Sequence, residues 1–249
     1  MTAISSAVVS AVCAVVIAVA AFVEGPVIVV AGAVCVLAIA LGWGDVLHLP
    51  ARAGTTFLVA AVGVGGLIIA YQQAPMARPL SLFPALLAVA VLSAFAHELL
   101  RRDGRTDLVE SVTGTLSGQV IAVQAAGWLL LLQTGPGRRA VLVAAVAVVA
   151  ARVVGSLPLP VEPVVTAWAG IGSGTAAALL TSAFTQSGIP PLTAMALGAG
   201  VAGAGLALDR LLVDPHGDPP RLTGVLAWGA APVATAGTIA YAIVRIALS

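Results

Sequence analysis

Nine stretches of eighteen to twenty-five mainly apolar residues divide this chain, at roughly 4–23, 26–43, 54–72, 82–100, 111–133, 139–156, 164–184, 190–209 and 223–247, with short polar breaks between them. A helix rises about 1.5 Å per residue and the hydrocarbon core of a bilayer is about 30 Å thick, so each stretch has the length of one crossing. A water-soluble domain of 249 residues does not carry this balance, with 60% hydrophobic residues, 8% charged and a mean hydropathy of +1.11. Inside a bilayer every backbone N–H and C=O must find its partner within the fold, and a continuous apolar run achieves this as a helix. The expected fold is all-α, a polytopic transmembrane bundle of about nine spans forming one integral membrane domain over residues 1–249.

The breaks give the order of the bundle. "VEGPV", around Glu24 to Pro26, is so short that the first two spans must form a tight antiparallel hairpin, and "QSGIPP", Gln186 to Pro191, does the same for the seventh and eighth. No basic residue precedes the first run and no small-residue cleavage site follows it, so it is expected to be a retained helix rather than a signal peptide. All eleven basic residues are Arg. With nine spans, Arg52, Arg101, Arg102, Arg105, Arg152, Arg210 and Arg221 fall on the side of the amino terminus, and Arg78, Arg138, Arg139 and Arg245 on the other. The excess predicts a multi-pass protein of the inner (plasma) membrane with a cytoplasmic amino terminus. A net charge of +1 gives no reason to expect nucleic acid as a partner. Cys13 and Cys35 lie in the first two runs without CxxC spacing and are expected to be buried thiols, neither a metal site nor a disulfide.

Charge concentrates in two breaks on the predicted cytoplasmic side. "HELLRRDGRTDLVE", His97 to Glu110, joins the fourth and fifth spans. Its arginines anchor topology, and Arg101, Arg102 and Arg105 form a basic rim suited to anionic head groups, each contributing about 1 kcal/mol near such a surface. "LDRLLVDPHGDPPRLTG", Leu208 to Gly224, joins the last two spans; Asp209, Asp214, His216 and Asp218 have a loose metal-ligand spacing there, although Pro, Gly and Asp are also the ordinary residues of a surface turn. Within or beside the spans, Glu98, Gln119, Gln124 and Arg152 need partners or a water-filled pocket, and Arg152 is close enough to a span end to snorkel. Small residues in "WAGIGSGTAA" and "ALGAGVAGAG" predict close helix packing.

From about Leu80 onward the order of these features resembles the phosphatidate cytidylyltransferases, the CDP-diacylglycerol synthases of bacterial membranes. The resemblance is carried by "HELLRRDGR" at His97 to Arg105, "GTLSGQVIAVQAAGWLLLLQ" at Gly114 to Gln133, "AVVAARVVGS" at Ala147 to Ser156, "EPVVTAWAG" at Glu162 to Gly170, and "DPHGDPPRLTGVLAWGAAPV" at Asp214 to Val233. It covers about two thirds of the chain, so residues 80–249 read as the cytidylyltransferase-like helices and 1–79 as additional amino-terminal helices.

The departures concern the chemistry. That family joins CTP to phosphatidate, which requires metal-holding carboxylates and cations on the phosphates. Its paired lysines fall on Val164 and Val165, its acidic residue ahead of the "GR" falls near Ala144, and its other lysines have no counterpart in a chain without Lys. Asp209, His216, Gly217 and Arg221 echo what remains. The resemblance therefore implies a non-catalytic relative that binds a membrane lipid, or that serves as a membrane subunit of a protein partner or of a homodimer. A permease-like carrier of hydrophobic or lipid cargo is the alternative. The candidates for binding lipid or phosphate are Arg101, Arg102, Arg105, Arg152, Arg210 and Arg221, and those for a metal Asp209, Asp214, His216 and Asp218; an active enzyme would need a rearranged site, with Mg2+ on Asp209, Asp214, Asp218 or Glu98 and phosphate on Arg101, Arg102, Arg210 or Arg221.

Overall fold

The computed structural model describes residues 2–23, 26–72, 80–101, 107–158, 160, 162–212 and 221–248. Among them the secondary structure is entirely helical. In chain order the helices are α1 (Thr2–Phe22), α2 (Val27–Val46), α3 (Arg52–Gln72), α4 (Phe83–Leu100), α5 (Leu108–Gln124), α6 (Gly127–Leu132), α7 (Gly137–Gly155), α8 (Pro163–Phe184), α9 (Pro191–Leu212) and α10 (Leu222–Ala247). Proline sits just before or within the first turn of several of them, as Pro26, Pro84, Pro136, Pro163 and Pro191. A missing N–H costs nothing there, because the first turn leaves its donors unpaired in any case.

Eight helical segments are long and apolar enough to cross a membrane, with α5 and α6 together making one of them, Leu108–Leu132. The molecule fits a multi-pass integral membrane protein. The sixth apolar stretch corresponds to α7, which is nineteen residues long and carries Arg138, Arg139 and Arg152, so charge sets it apart from the other eight. It nevertheless packs against α1, α8, α9 and α10. The hairpin between α8 and α9 turns through Gln186 and Gly188, both with positive φ, and Arg139 at the start of α7 donates to the Gln186 carbonyl at 2.7 Å. Glu24 and Gly25 of the first hairpin lie outside the described residues.

The longest helix, α10, packs against α1, α2, α5, α6, α7 and α9. Pro232 interrupts its ladder by removing the N–H that would meet the Trp228 carbonyl. The neighbouring Gly229 carbonyl accepts a 2.6 Å hydrogen bond from Ser10 Oγ of α1. Past the middle of the fifth span the α5–α6 ladder also breaks, at Ala125 and Ala126, and Thr238 Oγ1 of α10 donates to the Gln124 carbonyl at 2.9 Å. Gly127 makes this crossing close, since a Cβ there would lie 2.2 Å from the Thr238 nitrogen. The wholly buried indoles of Trp43 and Trp128 donate to the carbonyls of Gly114 at 2.7 Å and Val233 at 2.9 Å, locking α2 to α5 and α6 to α10.

The small-residue stripes pack as the sequence predicts. A Cβ on Gly174 would lie 2.8 Å from the Ala202 Cβ, and one on Gly198 would lie 2.7 Å from the Thr175 Cα, so α8 and α9 meet backbone to backbone. Gly198→Leu is expected to force them apart and to destabilise the protein by about 1–3 kcal/mol, as overpacked cores generally do. A denaturant titration in detergent would show this, and an unchanged midpoint would place the α8–α9 contact elsewhere.

Candidate functional site

Arg152, near the end of α7, does not snorkel. It is 5% exposed and turned inward, where its Nε donates to Ser10 Oγ and its Nη2 to Ser6 Oγ, each at 3.1 Å. Its Nη1 forms an ion pair with Asp209 Oδ2 of α9. The other carboxylate oxygen, Asp209 Oδ1, accepts from the Trp228 indole of α10 at 2.9 Å. The start of α1, the ends of α7 and α9 and the start of α10 therefore meet at one end of the bundle, the end of the amino terminus. Burying a guanidinium is expensive unless charge and hydrogen bonds meet it, and here both do.

Two further carboxylates, each facing arginine, occupy the same end. Asp45, at the end of α2, has Arg52 Nη1 at 2.5 Å and Arg221 Nη1 at 3.7 Å from Oδ1, while its Oδ2 accepts from Thr223 Oγ1. Oδ1 makes no aligned hydrogen bond, so those contacts are of charge alone. Glu98, at the end of α4, faces Arg101 Nη1 at 2.6 Å and accepts from Ser111 Oγ of α5 at 2.5 Å. Glu98, Ala94 and Ala90 are the residues α4 buries, so this carboxylate anchors an otherwise lightly held helix. Below it a polar seam runs between α3, α4 and α5. Thr55 and Thr115 lie 3.2 Å apart, and Gln119, 0% exposed, donates to Ser93 Oγ at 3.2 Å, leaving its Oε1 without a partner.

The phosphate-binding candidates do not converge on one centre. Arg101, Arg152 and Arg221 answer to Glu98, Asp209 and Asp45 respectively, and Arg210 is exposed in the last turn of α9. Of the metal candidates, Asp209 and Glu98 are described; Arg152 and Trp228 engage both oxygens of the first, and Arg101 and Ser111 both oxygens of the second, which does not suit a ligand for a divalent cation. No group of three His, Cys, Asp or Glu side chains comes together among the described residues. Arg102, Arg105, Asp214, His216 and Asp218 lie outside the described residues. Cys13 and Cys35 are buried free thiols.

What the pattern of charges does not reveal is a groove of about 830 Å³ toward the other end of the bundle. Phe83 and Leu87 of α4 form one wall, Val120 and Val123 of α5 with Leu130 of α6 the floor, and α10 the other wall. The lining is largely apolar, with Gln124, Tyr241 and Arg245 as its principal polar side chains. Thr238, Tyr241 and Arg245 recur three and four residues apart, the helical spacing that could have marked one face in the sequence. Ser6 and Ser10, four apart in a run of Ala and Val, carried a comparable signal for the Arg152 centre.

The chain matches no family model, no curated protein and no solved structure. Geometry therefore carries the functional argument. For the Arg152 centre, Asp209→Leu is expected to strand the guanidinium and destabilise the protein by about 3–5 kcal/mol, with part of the loss recovered in Asp209→Leu/Arg152→Met. Unfolding midpoints of the three proteins in one detergent would test this; a double variant no more stable than the single one would mean that the pair does not act as a unit.

Proposed function

We propose that this is a lipid-holding component of a membrane, a non-catalytic relative of the CDP-diacylglycerol synthases, with the acyl part of a membrane lipid in the groove between α4 and α10. The groove itself carries this reading. Its volume lies within the usual range for ligand sites, about 300–1,000 Å³, and its apolar walls match hydrocarbon. Its α4 wall buries only Ala90, Ala94 and Glu98 against the bundle and can admit a chain from the side. The non-catalytic part is supported by the engagement of Asp209 with Arg152 and Trp228, and by Val164 and Val165, both exposed on α8 where the resembled family has lysines.

Two measurements test it. Ala242→Trp, on the groove wall, is expected to remove lipid that copurifies with the unaltered protein, as read by mass spectrometry of a detergent extract; undiminished lipid would place the binding elsewhere. Labelled CTP with phosphatidate and magnesium is expected to give no product in nanodiscs, and turnover at the rate of an active relative would restore the enzyme reading. The paired carboxylates and arginines at the amino-terminal end are consistent with that end lying in the cytoplasm of an inner-membrane protein.

A second reading, a carrier of hydrophobic or lipid cargo, is favoured by one observation. The break between α5 and α6 lines the groove, and discontinuous helices beside the cargo site are characteristic of carriers. Movement of a labelled lipid across proteoliposomes, dependent on the protein and abolished by Ala242→Trp, would establish carriage over static binding.

A further inference from the structure

We infer that the groove takes a glycerophospholipid in one orientation, with its phosphate on Arg245 and its ester region on Tyr241 and Gln124, in the leaflet at the carboxy-terminal end of α10. This rests on the lipid-holding reading above and adds the chemical class and the direction of the occupant.

Three observations carry it. Tyr241 is 8% exposed and lines the groove, yet among the described residues its hydroxyl has no hydrogen-bond partner. The side-chain amide of Gln124, also on the lining, makes none either, whereas neighbouring Thr238 already uses its hydroxyl on the Gln124 carbonyl. Neither the Tyr241 hydroxyl nor the Gln124 amide is sealed off by protein, so both are open to the groove, where an alkyl chain alone would leave them unmet. Ester carbonyls are acceptors, so the glycerol region of a lipid satisfies both.

The third observation is the charge. Arg245 lies four residues beyond Tyr241, one turn along the same face of α10 and about 6 Å nearer the helix end. Arg52, Arg101, Arg152 and Arg221 each face a carboxylate, but no described carboxylate stands against Arg245, which is exposed at the groove's edge. A guanidinium presents a planar fork of donors that fits a phosphate in a bidentate manner. Glycerol carries its esters and its phosphate on adjacent carbons, which suits a separation of one helical turn. Polarity thus rises along α10 in the order in which a glycerophospholipid changes from chain to ester to phosphate.

The full-length protein, stripped of lipid and offered equal amounts of dioleoylphosphatidylglycerol and dioleoylglycerol, can be read by native mass spectrometry. Retention of the phospholipid is expected to exceed that of dioleoylglycerol by about tenfold, the order of one charge-assisted contact. Arg245→Gln, at an exposed position, should elute and melt as the unaltered protein does, keep binding both lipids, and lose most of the preference. Tyr241→Phe should weaken both lipids without changing their ratio, and Ala242→Trp should release both. Equal retention of the two lipids by the unaltered protein would overturn the inference while leaving an acyl-binding groove. Retention of neither would overturn the groove reading itself. A dimer whose formation displaces the lipid would show that a second copy covers the groove, which also overturns the inference.

Discussion

A guanidinium held inside a bilayer bundle has no water to turn to, and the arrangement around Arg152 follows from that. Ser6 and Ser10 of α1, Asp209 of α9 and, through that carboxylate, Trp228 of α10 are drawn to one point at the end of α7. Ser10 also reaches the Gly229 carbonyl one turn ahead of Pro232, so the contact that satisfies the charge also ties α1 to α10 where α10 has lost a ladder bond. With its start fixed in this way, α10 is aligned along its length. Its far end then crosses α6 at Gly127 and Gly237, too closely for a side chain on either.

The two ends of the bundle consequently differ in character. At the amino-terminal end Asp45, Glu98 and Asp209 each face arginine, and the balance there is structural. Toward the opposite end the backbones of α10 and α6 touch, while α4, anchored through Glu98, stands as the outer wall of an open-sided groove. Tyr241 and Gln124 keep unused donors there. Neither group is sealed off by protein, and donors left open on a cavity wall are available to whatever occupies it. The site proposed here thus stands apart from the charged loops that dominate the sequence.

Much of the fold was legible because the bilayer imposes a simple rule on length and polarity. Helices α1, α2, α3, α4, α8, α9 and α10 lie close to their expected spans, and the α8–α9 turn falls at Gln186 and Gly188 as the Gly and Pro there predict. The stripes of Gly and Ala read correctly as packing faces because backbone approach depends on side-chain size alone. Less was legible at the charged positions. Sequence grouped Arg101, Arg152 and Arg221 by type, and the fold assigned each a different carboxylate. It also gave Arg152 the option of snorkelling from a span end, which the neighbouring α1 hydroxyls and Asp209 remove. The break at Ala125 and Ala126 had no proline or glycine run to announce it, since it coincides with a contact from Thr238, more than a hundred residues away.

The sequence alone determined that this chain forms a series of helices long and apolar enough to cross a membrane, and which of their faces pack closely, because both follow from runs and spacings of apolar and small residues. Tertiary structure alone decided which charges cancel and which donors stay unmet. Those outcomes depend on distances between helices far apart in the chain: Arg152 to Ser6 spans 146 residues, and the walls of the groove come from α4, α5, α6 and α10. No local pattern encodes such a distance, which is set when the whole bundle packs.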